Sequence, residues 1–360
     1  MKMNSEKIIK TWDRKHFSKK LEPHFGKGIS LVASDIVCLK DTKKSSIWKL
    51  SIRKEDTSFP LILKILPSLD MLLNKVELHM YQHPPSELTS FFPGIFHIEP
   101  NVSDGETWIL VQYVSPVRFE WKMSPAIFER IIPVISLLHA KTHEQVYTIK
   151  EQSISEVIPI YKSKEGLTKR KRLVKGTRSY LEQAIESGDL QQSEKSIYKR
   201  IINLLSSGPV TFPELETAGH SIIHGDLHMR NICLAKNPAG NREKLLFIDW
   251  ESTEYTSGWF DLGHLVGVLI EFRPDWQKEE ADILKKCITL YTSELKKHGI
   301  VLTENPIKLY KMAYVQRILD RWLHYQLRTV ILKNSPHSAD ILIPRYLDKL
   351  DRWGKELHLF

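Results

Sequence analysis

Short apolar runs separated by polar turns fill residues 29 to 66. DIVCLKD and IWKLSIR flank the turn TKKSS, and KEDTSF leads into PLILKIL, so this stretch reads as a three-strand antiparallel meander. In LDMLLNKVELHMYQHP, Leu72, Leu73, Val76, Met80 and Tyr81 recur at helical spacing, and the pattern stops before Pro84. GIFHIEPN, the turn VSDGE and TWILVQYV then form a second hairpin. Residues 29–114 therefore predict a five-strand antiparallel sheet carrying one helix, with residues 1–28 as an N-terminal extension.

Beyond residue 115 the period lengthens to that of helices. Ser124 and Pro125 mark a helix start, a capping hydroxyl followed by proline in the first turn. Ile127, Phe128, Ile131, Ile132, Ile135 and Leu138 continue the helical repeat, and Pro133 is expected to kink or divide it. Residues 166–187 and 192–206 read as further helices. Residues 221–250 turn to short strands, with KNPAGNREK as a hairpin loop, and the chain from Leu262 onward is helical. In MAYVQRILDRWLHYQLRTVIL the expected buried stripe is Val315, Ile318, Leu319, Trp322, Leu323, Leu327 and Val330. Arg317, Asp320, Arg321, His324 and Arg328 fall on the opposite face. The pattern predicts an α+β, bilobal architecture, with a larger, mainly helical lobe over 115–360.

Composition changes this picture little. Apolar residues at 42% and charged residues at 26% exclude a disordered or fibrous chain. Three widely spaced cysteines, Cys38, Cys233 and Cys287, exclude a disulfide framework and a cysteine zinc site, and suit a reducing cytoplasm. No apolar run is long enough for a signal peptide or a membrane span, so a cytoplasmic protein without membrane attachment is expected. The net charge of +9 owes much to LTKRKRLVKGTR, which holds Lys169, Arg170, Lys171, Arg172, Lys175 and Arg178 without an acid. No nucleic-acid-binding signature accompanies the run, and a solvated helix face accounts for it.

The chemistry concentrates in HGDLHMRN (224–231) and in FIDWE, whose Asp249 lies eighteen residues after Asn231. Apolar runs flank both, which places Asp226, Asn231 and Asp249 at the ends of buried strands. Phosphoryl transfer needs a held polyphosphate, a hard divalent cation and an acceptor hydroxyl aimed in line. An Asp five residues before an Asn on one loop can face the hydroxyl and send an amide oxygen to Mg²⁺. A second Asp at the neighbouring strand end can bridge metal and phosphates. Lys64, a charge within the apolar LILKIL, and Glu77, thirteen residues on in the predicted helix, suit an ion pair that holds the lysine for the phosphates.

These segments, with WFDLGHL and SLLHAKTH, resemble the aminoglycoside phosphotransferase and choline kinase-like family, which shares the protein-kinase fold. The resemblance implies Mg²⁺, and ATP or GTP as co-substrate. It implies Asp226 as catalytic base, Asn231 and Asp249 as metal ligands, and Lys64 as the contact to the α- and β-phosphates. Asp261 and His224 would brace the catalytic loop, and His228 would be structural. The adenine would lie against Gln112 to Val114.

Two features depart from protein kinases. TKKSS lacks glycine, so Ser45 and Ser46 become the expected phosphate donors, and no activation segment separates Asp249 from Asp261. A small-molecule acceptor is therefore expected. Glu251, Glu254, Glu271 and Asp275 lie among Trp250, Tyr255, Trp259, Phe272 and Trp276, which suits an amine-bearing acceptor such as an aminoglycoside or other antibiotic. The basic run argues for an anionic acceptor instead, and choline, homoserine or a sugar remains open. A non-catalytic pseudokinase would normally lack one of Lys64, Asp226, Asn231 and Asp249, and all four are present. A nucleic-acid-associated protein would depend on the basic run and not on Asp226.

Overall fold

The computed structural model describes residues 4–67, 72–103, 105–144, 157–187, 192–235, 243–332 and 337–360. The chain forms two compact units, residues 1–121 with 229–252, and residues 122–228 with 253–360.

In the first unit, helices α1 (Ser5–Arg14) and α2 (Phe17–Phe25) precede strands β1 (Ser30–Leu31), β2 (Val37–Asp41), β3 (Ser46–Lys54) and β4 (Thr57–Leu66). After α3 (Leu72–Gln82) come β5 (Ile95–Glu99), β6 (Thr107–Gln112) and the short β7 (Ser115–Pro116). The main sheet runs β1-β3-β4-β6-β5, with β2 also paired to β3. Strands β1 and β2 take different halves of the β3 edge, Arg53 to Ile52 and Lys49 to Ser46, so the sheet is five strands wide with its first strand broken. The side chains of Leu72 and Leu73 lie outside the description.

Strand alternation gives the sheet two different faces. Leu61, Leu63 and Ile65 of β4 join Trp48, Leu50, Ile52, Trp108 and Leu110 in one apolar cluster. That cluster is completed by Ile8, Trp12, Phe17 and Leu21 of α1 and α2. Helices α1 and α2 are thus packed on the sheet. They supply four large apolar side chains, each contributing about 1.5–3 kcal/mol on burial. Lys64, between Leu63 and Ile65, takes the opposite face by the same alternation. Within KEDTSF, β3 and β4 pair through to Lys54 and Thr57 around a two-residue turn. Pro60 is tolerated because β6 begins pairing only at Leu61, so its missing N–H faces no partner strand on that side.

The second unit begins with α4 (Ile127–Lys141), α5 (Lys164–Glu186) and α6 (Gln192–Leu204), followed by β8 (Ser221–Ile223). Ser124 does not cap α4 with its hydroxyl. Its carbonyl accepts from Ile127, and Pro125 and Ala126 continue the turn. Pro133 leaves α4 unbroken. The carbonyl that loses its partner belongs to Glu129, an exposed residue, where water can replace the bond.

The chain then returns to the first unit as the hairpin β9 (Ile232–Ala235) and β10 (Lys244–Phe247). Its expected loop at 236–244 falls mostly outside the described residues. β7 pairs with β9, and Val114 packs with Cys233 and Leu246. That apolar contact is why a boundary drawn at residue 114 does not separate the units. Strand β11 (Glu254–Thr256) pairs with β8 in the second unit, and α7 (Glu280–Lys297), α8 (Pro306–Arg317), α9 (Leu323–Ile331) and α10 (His337–Glu356) complete it.

The 313–332 segment is not one regular helix. A wide π-helical turn, Ile318–Trp322, joins α8 to α9, and another occupies Gly263–Val268. Most of the expected stripe is buried, namely Val315, Ile318, Leu319, Leu323 and Leu327, but α8 is buried nearly all round up to Arg317, so the opposite face is not all exposed. Arg317, Asp320 and His324 are buried, whereas Val330 is 41% exposed. The basic run on α5 is likewise divided: Lys171, Arg172 and Lys175 are exposed, but Arg170 is buried with its guanidinium 3.6 Å from the Tyr161 ring centroid. No helix among the described residues is long and apolar enough to cross a membrane.

Candidate active site

The first unit gathers Lys64, Glu77 and Asp249. β4 is hydrogen-bonded on both sides at Lys64, opposite Ile47 and Ile109, so the position of the side chain is fixed by two ladders. Its Nζ lies 2.5 Å from Glu77 Oε1 on α3 and 2.7 Å from Asp249 Oδ1. Burial disfavours the ammonium, but Glu77 and Asp249 outweigh it and raise the Lys64 pKa, so the lysine stays charged. Burial dominates at Glu77 and pushes its carboxyl up to about 7, against the pull of Lys64. Asp249 has φ +67°, left-handed backbone that costs a non-glycine residue about 1–3 kcal/mol. The ion pair to Lys64 holds it there. Beside it, Trp250 stacks on Phe92 with centroids 4.4 Å apart.

Hard oxygen donors cluster at the same place. Glu77, Asp249 and Glu251 each offer a carboxylate oxygen within 4.8 Å of the others. Oε2 of Glu77 is buried without a hydrogen-bond partner. The Ile248 N–H donates to the Asn231 carbonyl at 3.0 Å, which sets Asn231 against the residue preceding Asp249. The donor set suits Mg²⁺, which takes carboxylate and amide oxygens and fills its remaining positions with phosphate and water.

The other expected nucleotide contacts are arranged differently. Ser46 Oγ donates to Asp41 at 2.7 Å, and the Ser45 N–H donates to Thr42 Oγ1 at 3.2 Å. Both serines are buried, and the exposed tip of the turn is Lys43–Lys44, with Lys44 Nζ 3.7 Å from Glu251. The Gln112 N–H and side-chain oxygen are both bonded to Gly94, and Val114 sits in the apolar cluster with Cys233 and Leu246. The Ser46 hydroxyl, the Ser45 N–H and the Gln112 N–H are thus already bonded within the fold.

In the second unit, β8 delivers His224, Gly225 and Asp226. Asp261 accepts the backbone N–H of His224 at 2.7 Å and of Gly225 at 2.8 Å, while His139 Nε2 lies 3.3 Å away. Tyr291 holds the other nitrogen of His139 at 2.9 Å. His224 Nδ1 accepts the Asp226 N–H at 3.4 Å. The loop backbone is thus clamped from beneath by a buried carboxylate. Burial opposes ionisation of Asp261, but His139, His224 and the Gly225 N–H outweigh it and lower its pKa. The part played by His139 was not read from the sequence. Its signal lay in SLLHAKTH, a histidine on the buried side of an apolar helix.

Asp226 lines a cavity of about 210 Å³ together with His264, Arg321, Trp322, Tyr325 and Tyr346. His228 Nε2 is 3.7 Å and His264 Nδ1 3.8 Å from its carboxylate. Burial would raise the Asp226 pKa, but the histidines and Arg321 reverse that and lower it, which keeps the carboxylate ionised at neutral pH. An ionised carboxylate at a cavity mouth can accept the proton of a bound hydroxyl.

The acidic residues expected around an acceptor lie elsewhere. Asp275 is exposed and paired with Arg273 at 2.6 Å. Glu271 is buried, 3.3 Å from the Tyr314 hydroxyl and 3.7 Å from Lys349. Glu254 is buried against Arg317, and Glu251 belongs to the first unit's carboxylate set. The neighbouring Trp250, Tyr255, Trp259 and Trp276 are core residues.

No curated protein matches the chain by sequence. Choline kinase from Cryptosporidium parvum Iowa II has a similar structure, with TM-score 0.58 and 12% identity over 98% of this chain and 97% of that one. A spectinomycin phosphotransferase in complex with ADP and spectinomycin aligns at TM-score 0.49 and 12% identity, over 94% of this chain and 93% of that one. The choline kinase likeness shows a kinase-like fold. The model of the ecdysteroid kinase-like family matches residues 63–303, from the β4 lysine through the whole catalytic segment. The chain therefore belongs to the ecdysteroid kinase-like family and is an ATP-dependent phosphotransferase acting on small molecules.

Proposed function

We propose that the protein transfers the γ-phosphoryl group of a nucleoside triphosphate to a hydroxyl of a neutral, ring-bearing small molecule. One observation carries the choice of acceptor: the cavity that Asp226 lines has aromatic walls, and Asp226 is its only carboxylate among the described residues. An ammonium group would find no second acid there, so an amine-bearing acceptor, an aminoglycoside included, loses its basis. A volume of about 210 Å³ is below the roughly 300–1,000 Å³ of a site enclosing a whole drug-sized ligand, so it takes one end of a fused-ring alcohol. A polyhydroxylated steroid of the kind in the family's name fits these terms.

In this reading Lys64 binds the α- and β-phosphates, held by Glu77. Asp249 and Asn231 hold Mg²⁺, with Glu251 as a further oxygen donor, and the ion neutralises phosphate charge when bound. Asp226 accepts the proton of the acceptor hydroxyl, and Asp261 and His224 fix its loop. Lys44, exposed at the β2–β3 turn, is a further phosphate contact beside Ser45 and Ser46. The free thiols of Cys38, Cys233 and Cys287 suit work in the cytoplasm.

The test is a transfer screen. Purified protein, Mg²⁺ and ATP or GTP meet hydroxylated steroids, other ring alcohols, aminoglycosides, choline, homoserine and sugars, with mass spectrometry reading one added phosphoryl group. Phosphorylation of ring alcohols, lost in Asp226→Ala, is the expected result. Phosphorylation confined to aminoglycosides or choline would refute the acceptor assignment.

A further inference from the structure

The two π turns of the second unit line the same cavity. His264 and Val268 come from one, Arg321 and Trp322 from the other, and Asp226 joins them. A π turn is rare and is found frequently at functional sites. Here the two are packed together. The His264 and Trp322 rings are 5.3 Å apart, and Trp322 meets Tyr314 edge-on at 5.2 Å. Tyr314 in turn fills the space over Gly267, where a Cβ would lie 2.1 Å from its ring. Packing on this scale sets where Arg321 stands.

Arg321 has an electrostatic anchor as well. Glu254 lies opposite Ile223 in the β8–β11 pair, three residues from Asp226. Its Oε2 accepts both terminal nitrogens of Arg317 at 3.1 Å, while Arg321 and Lys169 approach its Oε1 at 4.0 and 3.6 Å. Burial opposes ionisation of Glu254, but Arg317, Arg321 and Lys169 bring its pKa down to about 2. Arg321 therefore lines a small cavity beside Tyr161 and Glu254 as well as the Asp226 cavity. Among the groups lining the latter it is the permanent cation. His264 is neutral at physiological pH because burial lowers its pKa to about 4.

We propose that Arg321, positioned by Glu254, is the specificity-determining residue of the acceptor cavity. Its guanidinium donates hydrogen bonds to a carbonyl or second hydroxyl oxygen of the acceptor, close to the hydroxyl that Asp226 addresses. The inference rests on the phosphotransferase reading and narrows its substrate class. Guanidinium has five donors, no acceptor and a permanent charge. It favours an oxygen function and repels an ammonium placed in the same position. A site built to hydrogen-bond one substrate group discriminates strongly against an analogue that cannot make the bond.

The experiment uses the full chain, ATP and Mg²⁺ with two probes: a hydroxylated steroid bearing a ring ketone, and the same steroid with a primary amine in place of the ketone. Calorimetry reads binding of each probe, and mass spectrometry reads transfer. Wild type is expected to prefer the ketone by at least tenfold in kcat/KM. Arg321→Ala is expected to reduce that preference to within threefold, through acceptor KM and without a change in ATP KM, and Arg321→Lys to recover part of it. Glu254→Gln should raise acceptor KM by less than Arg321→Ala does. An unchanged ratio in Arg321→Ala, a wild-type preference for the amine, or binding of neither probe would overturn the proposal. Failure of the phosphotransferase reading shows separately, as absent ATP binding by wild type, and removes the proposal with it.

Discussion

Lys64 and Arg321 are both cations beside carboxylates, and the two units hold them by opposite means. Lys64 is 6% exposed, fixed by two strand ladders, and in direct contact with Glu77 and Asp249. Arg321 stands in an irregular helical turn, 4.0 Å from Glu254, placed by ring packing around Trp322 and Tyr314. The carboxylates differ in the same way. Glu77 has its pKa raised by burial, whereas Glu254 is held low by three cations. On the proposed reading, the nucleotide half of the chemistry rests on regular structure, and the acceptor half on departures from it.

The most severe test of this contrast is Asp226→Ala. Loss of a general base costs on the order of 10²–10⁴-fold in rate. Single-turnover transfer should fall by that factor while nucleotide affinity stays within about twofold, because Asp226 belongs to the second unit's site. A parallel loss of nucleotide binding would show that the two halves are not separable.

Next in size is Lys64→Met. A charge-assisted hydrogen bond is worth about 1.5–3 kcal/mol, so titration should show ATP affinity falling roughly 10- to 100-fold. Acceptor binding should stay unchanged. Its stability cost should be small, because Glu77 with a pKa of about 7 sheds its charge readily.

Arg317→Met should behave in the opposite sense. It leaves Glu254 buried and ionised with weaker partners, and breaking such a pair costs about 3 kcal/mol, measurable by urea unfolding. Equal stability losses in Lys64→Met and Arg317→Met would erase the distinction between the two clusters.

The smallest effect is on pH dependence, and its sign differs between the units. The folded pKa of Glu254 lies below the ordinary carboxylate value, so its contribution to stability is present above about pH 4.5 and is lost as pH falls toward 2. Glu77 has a raised folded pKa, so its contribution is present below about pH 4.5 and is lost as pH rises through 7. Glu77→Gln should flatten the neutral limb of the stability profile and leave the acid limb in place. A neutral limb unchanged in Glu77→Gln would contradict the raised pKa.

What could be read in advance follows the same line. The alternating pattern around LILKIL put Lys64 on a buried strand, and its helical partner Glu77 was visible thirteen residues on. HGDLHMRN and FIDWE marked Asp226, Asn231 and Asp249 as ends of buried strands because the apolar flanks are local. Three things were not local. Ile8, Trp12, Phe17 and Leu21 became core only when α1 and α2 met the sheet face that needed covering. The bonds from Ser46 Oγ to Asp41 and from the Ser45 N–H to Thr42 appeared only in the folded turn. The acids Glu271 and Asp275 were drawn to Lys349 and Arg273, away from the cavity.

The sequence by itself determined the lobe order, the regular elements and which residues are candidates for phosphoryl transfer, because each depends on period, flank and spacing within a few tens of residues. Only the tertiary structure decided which residues line the cavity with Asp226. Two π turns interrupt the regular helices and meet at one cavity, which brings Arg321 into its lining with Asp226, while Arg317 and Asp320 are buried by segments distant in sequence. A wide turn is stabilised by what packs against it, here Tyr314 over Gly267 and Trp322 on His264, and no local pattern encodes a contact made between distant segments.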